Sequence, residues 1–320
     1  MKMKMKIPRL NFFPLLLLPS LAAAARNCTT APQTIPFTIS ELTYDAPSAQ
    51  STNHSTVGLY LSPSGSGTYS CISTFPEPWK GRDPSTGALV WQNCILNIGR
   101  GVDDAVSFAI DWEAKKLYVG STYTCLEGDG QTQRQRVVGR GEVNLEMECG
   151  VVEGRCLAKE RRSSVDVVRS NAETNDDESP GCGDQGRKVS WEVEEHGGLW
   201  GYVPSGKKER LFVVSRLGSG RRRYECFDEE VVDLGNVGRG GRCKSVGEDE
   251  DDGGKEVKFV YRRDLKVLTI RESGKCGEDG SSSSSYEAVG VANVPVICFE
   301  YDVPICEVEG ARFWVGGSVV

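Results

Sequence analysis

The chain has only two histidines, His54 and His196, and nowhere a CxxC pair, although it carries twelve cysteines. Those shortages exclude the usual zinc centres and a thioredoxin-type redox pair, so no metal and no cofactor is expected. A GxSxG nucleophile turn is also missing, and serine chemistry would need a base beside an activated hydroxyl. There is no apolar run of the roughly 20 residues that a membrane-spanning helix requires. The longest candidate, Leu10 to Leu18, is short and interrupted by Asn11 and Pro14. No window shows a sustained helical stripe with caps. Positive charge does not predominate either: a net charge of −7 and a pI near 5.2 argue against nucleic acid and anionic membranes as partners.

What is present begins with a leader. Lys2, Lys4, Lys6 and Arg9 precede the short apolar stretch, and Leu21-Ala22-Ala23-Ala24-Ala25 supplies the small residues of a cleavage site. That order reads as a signal peptide over residues 1–25 and predicts a secreted, extracellular chain beginning near Ala25 or Arg26. In an oxidising compartment an even number of cysteines points to structural bridges.

The cysteines fall into two sets of six. Cys28, Cys71, Cys94, Cys125, Cys149 and Cys156 are followed, 149 to 155 residues later, by Cys182, Cys226, Cys243, Cys276, Cys298 and Cys306. Intervening segments agree: Tyr69-Ser70-Cys71 with Tyr224-Glu225-Cys226, and Val106 to Ile110 with Val257 to Tyr261. The spacing predicts an internal duplication. It divides the chain into a first domain over 26–156, a flexible or disordered linker over 157–181, a second domain over 182–310 and a tail over 311–320. The linker reading rests on high charge and few large apolar residues.

Within each half, apolar residues recur with period 2. Val57, Leu59 and Leu61 alternate, as do Phe108, Ile110 and Trp112, and Asp111 to Lys116 joins two strand-like runs. Val143, Leu145, Met147 and Cys149 alternate with polar residues as in one half-buried strand. The expected fold is all-β: two tandem disulfide-stapled antiparallel β-barrels or sandwiches.

Phe37 to Leu42, Val57-Gly58-Leu59-Tyr60, Tyr69-Ser70-Cys71, Trp91-Gln92-Asn93-Cys94 and the 108–119 hairpin together resemble the Alternaria major-allergen family of small secreted fungal proteins. The likeness covers residues 37–149 well and 189–300 weakly, with Trp191-Glu192-Val193 aligned on Ile39-Ser40-Glu41. It implies an antiparallel barrel with bridges Cys71–Cys94 and Cys125–Cys149, and Cys226–Cys243 and Cys276–Cys298 in the second half. The remaining cysteines then suggest Cys28–Cys156 and Cys182–Cys306, a departure from a family whose N-terminal cysteine joins two subunits. The tandem chain would instead form a covalent pseudo-dimer. The resemblance further implies an allergen or elicitor that binds a host plant protein or a small ligand, with no catalytic site; the alternatives are a secreted carbohydrate-binding or cell-wall protein and, third, a hydrolase.

Other candidates follow from the residues. Asn27 and Asn53 open N-glycosylation sequons, with Asn53 the better placed in a polar loop. Trp79, on a loop stiffened by Pro76 and Pro78, and Trp200 are candidate ligand contacts. Trp91 and Trp112 read as core. Asp103, Asp104, Glu146 and Glu148 are carboxylates of the type that glycosidases pair, but Glu146 and Glu148 alternate with apolar residues as a solvated strand face does. Gly181 to Gly186 matches GxGxxG without the preceding strand that a dinucleotide loop needs.

Overall fold

The structure is a computed structural model describing residues 26–27, 34–46, 54–64, 67–76, 81–98, 105–127, 133–149, 155–170, 188–195, 210–217, 223–227, 238–246, 255–262, 265–275, 285–294, 296–299, 305–308 and 312–320. Its elements are all strands. In the first half these are β1 (Arg26–Asn27), β2 (Thr34–Asp45), β3 (His54–Pro63), β4 (Thr68–Pro76), β5 (Val90–Ile98), β6 (Ala105–Asp111), β7 (Lys116–Glu127), β8 (Gln133–Asn144), β9 (Met147–Cys149), β10 (Arg155–Ala158) and β11 (Arg162–Ser170). The second half holds β12 (Lys188–Glu195), β13 (Arg210–Leu217), β14 (Arg223–Phe227), β15 (Gly238–Val246), β16 (Glu256–Arg262), β17 (Val267–Lys275), β18 (Ser285–Asn293), β19 (Val296–Phe299), β20 (Ile305–Val308) and β21 (Arg312–Val319).

Strands β2 to β8 pair each with the next, all antiparallel, and β11 closes the ring by pairing with both β8 and β2. The result is a closed eight-stranded barrel, an arrangement in which every strand of the ring has a neighbour on both sides. Its interior is built by period-2 alternation: Ile35, Phe37 and Ile39 of β2 point in, as do Val57, Leu59 and Leu61 of β3. The alternation of β2 is interrupted once. A bulge between Ser40 and Thr43, with Glu41 at φ 55°, inserts an extra residue and returns Leu42 to the core.

The closing strand corrects two boundaries. Residues 162–170, expected inside a disordered linker, form β11, whose Val165 and Val167 are buried. The short Val165-Asp166-Val167 alternation supplied the two inward side chains that the ring lacked. The expected tail is likewise a strand, β21, with Trp314 and Val315 fully buried.

In the second half β12 to β18 pair in the same succession, and β21 pairs with both β18 and β12. The local details repeat too. Both four-residue hairpin loops, after β6 and after β16, place a lysine at positive φ just before the returning strand: Lys115 at 54° and Lys266 at 53°. Each lysine carbonyl then accepts a hydrogen bond of 2.8 Å, from the N–H of Leu145 and Val294 respectively. That bond marks the break at residues 145–146, where the single strand expected over 143–149 becomes β8 and β9. Registers sharpen the alignment of the halves. Ile39 pairs with Leu61 and Leu61 with Tyr69, while Val193 pairs with Val214 and Val214 with Tyr224. With Tyr69 and Tyr224 equivalent, Trp191 occupies the place of Phe37, two residues and one pleat from the position its sequence suggested.

The disulfides also need correction. Cys71–Cys94 and Cys226–Cys243 form as expected, across β4–β5 and β14–β15. Cys149 is bonded to Cys156, which overturns both Cys125–Cys149 and Cys28–Cys156. The physical reason is the β9–β10 hairpin, whose register sets Cys149 directly opposite Cys156. The backbone of β19–β20 sets Cys298 opposite Cys306 in the same way, at odds with Cys276–Cys298 and Cys182–Cys306. Cys28, Cys182 and the linker beyond residue 170 lie outside the described residues.

Both halves belong to one sheet, because β18 also runs parallel to β5 with Val291 opposite Val90. Trp91, Ala105, Ala109 and Val138 of the first half share a hydrophobic cluster with the second. Strand β6 is buried at every position: Val106, Phe108 and Ile110 face their own barrel, and Ala105, Ser107 and Ala109 face its neighbour. The contact is not that of a pseudo-twofold dimer. β5 to β8 of the first half meet β12, β18 and β21 of the second, whereas a twofold would bring equivalent strands together on both sides.

Candidate functional site

The joint between the halves leaves a cleft of about 520 Å³, within the range that small-molecule sites occupy. Its walls come from the turn before β5, the outer faces of β7 and β8, and the end of β21.

The turn is built by its sequence, Arg82-Asp83-Pro84-Ser85-Thr86-Gly87. Asp83, fully buried, accepts hydrogen bonds from the Ser85 N–H (3.2 Å), Ser85 Oγ (2.8 Å) and Thr86 Oγ1 (3.0 Å), while its carbonyl accepts from the Gly87 N–H at 2.7 Å. This is an Asx-type turn, and Arg262 of the second half reaches the same carboxylate at 3.3 Å. Gly81, at φ 85°, lets the turn lie against β6, since a Cβ there would fall 1.6 Å from the Ile110 carbonyl. Arg82 is held in place by Asp111, to which Nε and Nη2 donate at 2.9 and 2.6 Å, and by a 2.8 Å bond to the Gly87 carbonyl.

Trp91 forms the inner wall. Its ring meets Trp314 of β21 edge-on, with centroids 4.3 Å apart at 86°. Arg140 of β8 lies over the Trp314 ring at 5.3 Å and donates to the Val189 carbonyl and to Ser190 Oγ. Tyr118 stands opposite, with Glu142 and Lys188 at the rim. The lining thus carries Arg82, Arg140 and Lys188 against one carboxylate, a local cationic excess on a chain of net charge −7.

The protonation states are fixed by their neighbours. A 2.7 Å bond from Lys116 holds the Glu142 carboxyl below the usual carboxylate range, and Lys188 adds to this. Burial pushes the Tyr118 phenol up, as does the Glu142 charge. Near neutral pH the cleft therefore presents a neutral phenol and an ionised carboxylate beside its basic side chains. That set can orient and bind an anion beside an aromatic ring.

Of the residues singled out in the sequence, the structure places Trp91 in the cleft wall, buried as expected. Trp112 is half-buried and packs on Tyr44 at the rim of the first barrel. Glu146 and Glu148 are exposed, Glu146 pairing with Lys159. Asn27 ends β1, opposite Leu126. Trp79, Trp200, Asn53, Asp103, Asp104 and His196 lie outside the described residues, and His54 opens β3 opposite Pro76. Sequence reading missed Arg82, Tyr118, Arg140 and Lys188. The turn cluster at 82–87 was a visible signal for the first; the others alternate as ordinary outward strand residues, and only the second half converts that face into a cleft. No protein-family model, no curated protein and no solved structure matches this chain.

Proposed function

We propose that this is a secreted, non-catalytic binding protein made of two fused copies of one small barrel, similar in type to the fungal allergens and elicitors of the Alternaria family, and that the cleft between the barrels seats a small ligand. Such a ligand carries an anionic group toward Arg82, Arg140 and Lys188 and a flat apolar body toward Tyr118 and Trp91. The observation that carries this reading is the cationic, aromatic-walled cleft at the joint. Repetition of the ring closure, the hairpin lysines and the cysteine pairs supports the duplication, and the leader with its bridges supports export. The host plant is the expected source of the ligand.

Equilibrium dialysis of the full chain against plant apoplastic fluid, read by mass spectrometry, tests the proposal. The native protein is expected to retain a small organic anion, and Lys188→Glu, on an exposed side chain, to lower that retention about tenfold. Equal retention by both proteins places the ligand elsewhere. Capture of a defence protein with no small anion moves the reading to a protein partner.

A further inference from the structure

A second hollow, about 650 Å³, lies at the rim of the first barrel, around the loop between β6 and β7. It shares no residue with the cleft. Its centre is an aromatic corner: Tyr44 at the end of β2 and Trp112 in the hairpin loop, with ring centroids 4.7 Å apart and planes inclined at 55°. Leu145 and Met147 add apolar floor, and the bridged Cys149–Cys156 hairpin forms one side.

The corner is rigidly presented. Asp111 Oδ1 accepts the N–H groups of Glu113 and Ala114 at 3.1 and 3.0 Å, fixing the loop immediately after Trp112. The Leu145 N–H to Lys115 carbonyl bond ties that loop to the hollow's floor. Bridging by Cys149–Cys156 restrains the opposite side. A tryptophan held this firmly loses little freedom on binding, which favours its use as a contact.

Two observations specify the ligand. Tyr44 and Trp112 line the hollow with aromatic surface, and the Trp112 side chain is only half-buried, so part of it is open to a ligand. The charged lining is balanced, with Lys115 and Lys159 against Glu146 and Glu148, so the hollow has no net attraction for an ion, in contrast to the cationic cleft. An apolar ring corner and a balanced circle of hydrogen-bonding groups complement a neutral sugar. Its axial C–H face packs on an aromatic ring while its hydroxyls meet donors and acceptors alike. We propose that this hollow is a binding site for a neutral hexopyranose unit of a glycan, with Trp112 as its platform.

The test uses the full chain and defined probes: cellohexaose, chitohexaose and mannohexaose, titrated calorimetrically. At least one is expected to bind, with Trp112→Ala lowering its affinity about tenfold and Trp112→Phe, which keeps the ring but removes the N–H, by a smaller factor. Tyr44→Ala should weaken the same sugar, while Lys188→Glu in the cleft should leave it unchanged. Thermal melts of each variant must match the native chain within a few degrees; Trp112→Phe serves if the alanine variant melts early. Binding of none of the three probes, or binding indifferent to both Trp112→Phe and Tyr44→Ala, overturns the proposal, as does preference for a charged oligosaccharide such as hexagalacturonate.

Discussion

Asp111 ends β6 and yet holds three elements together. Its carboxylate caps the hairpin loop through the Glu113 and Ala114 N–H groups and pins Arg82, and through it the turn that walls the cleft. Burial by itself raises its pKa, but the Ala114 N–H, the Arg82 side chain and the Glu113 N–H outweigh that and hold the carboxyl below its ordinary 3.8. A folded-state pKa below the unfolded one means that the stabilisation is fully present above pH 3.8 and is lost as pH falls through the lower folded value. Asp111→Asn keeps the shape and removes the charge. It should cost about 1–3 kcal/mol near neutral pH and flatten the acid limb of stability below pH 3.8, measured by denaturant titration at successive pH values. Unchanged pH dependence in the variant would assign that limb to other carboxylates. At this scale the sequence was legible where a residue acts through its neighbours in the chain, as with the Asp83 turn. It was legible in part for Trp112, whose alternation with Phe108 and Ile110 marks the correct face: the strand ends one residue earlier, and the ring packs half-buried against the core at the barrel's rim.

Hairpins decide the cysteine chemistry. Cys149–Cys156 closes a loop of separation 7 and Cys71–Cys94 one of 23, which on the loop-entropy model contribute about 2.5 and 3.5 kcal/mol respectively. The shorter one is also the more accessible: Cys149 is exposed, whereas Cys71 and Cys94 are buried. Mild reduction followed by alkylation should therefore label Cys149 and Cys156 first, and labelling of Cys71 in the same fraction would contradict the ordering. Non-reducing peptide mapping should find Cys298 with Cys306, already opposite in register. With Cys71–Cys94 and Cys149–Cys156 formed, elimination within the first half says it should also find Cys28 with Cys125, and by repetition Cys182 with Cys276. Period-2 patterning made β3, β6 and β8 legible, and the repeat added β16, because alternation is local. Strands β11 and β21 were not, because charge around the first and the chain end near the second hid short alternations that matter only when a ring needs closing. Bridge partners were equally hidden, since cysteine order is compatible with many pairings until register selects one.

The two rings behave as one body for reasons that a half-by-half reading does not reveal. Outward positions of β6 are Ala105, Ser107 and Ala109, and the outward position of β7 nearest them is Gly120. Small size, more than hydrophobicity, was the signal that another wall lies against this face. Trp314 fills the space left: a Cβ on Gly120 would stand 2.2 Å from its ring. Around it, Thr122 Oγ1 donates to Glu192 at 3.2 Å, and Asn293 Nδ2 to the Thr74 carbonyl at 3.0 Å. An interface with core-like packing and hydrogen bonds across it should not melt separately from the barrels it joins. Unfolding of the full chain is therefore expected as one transition, with far-ultraviolet circular dichroism and tryptophan fluorescence coincident. Trp314→Ala should lower stability by about 3–5 kcal/mol through the cavity it leaves, and Gly120→Ala by about 1–3 kcal/mol through overpacking. The double variant should lose less than the two losses combined, because the added methyl group at residue 120 enters the space vacated by the indole. Strict additivity would show that Gly120 and Trp314 do not touch, and two resolved transitions in the native chain would show that the barrels fold independently.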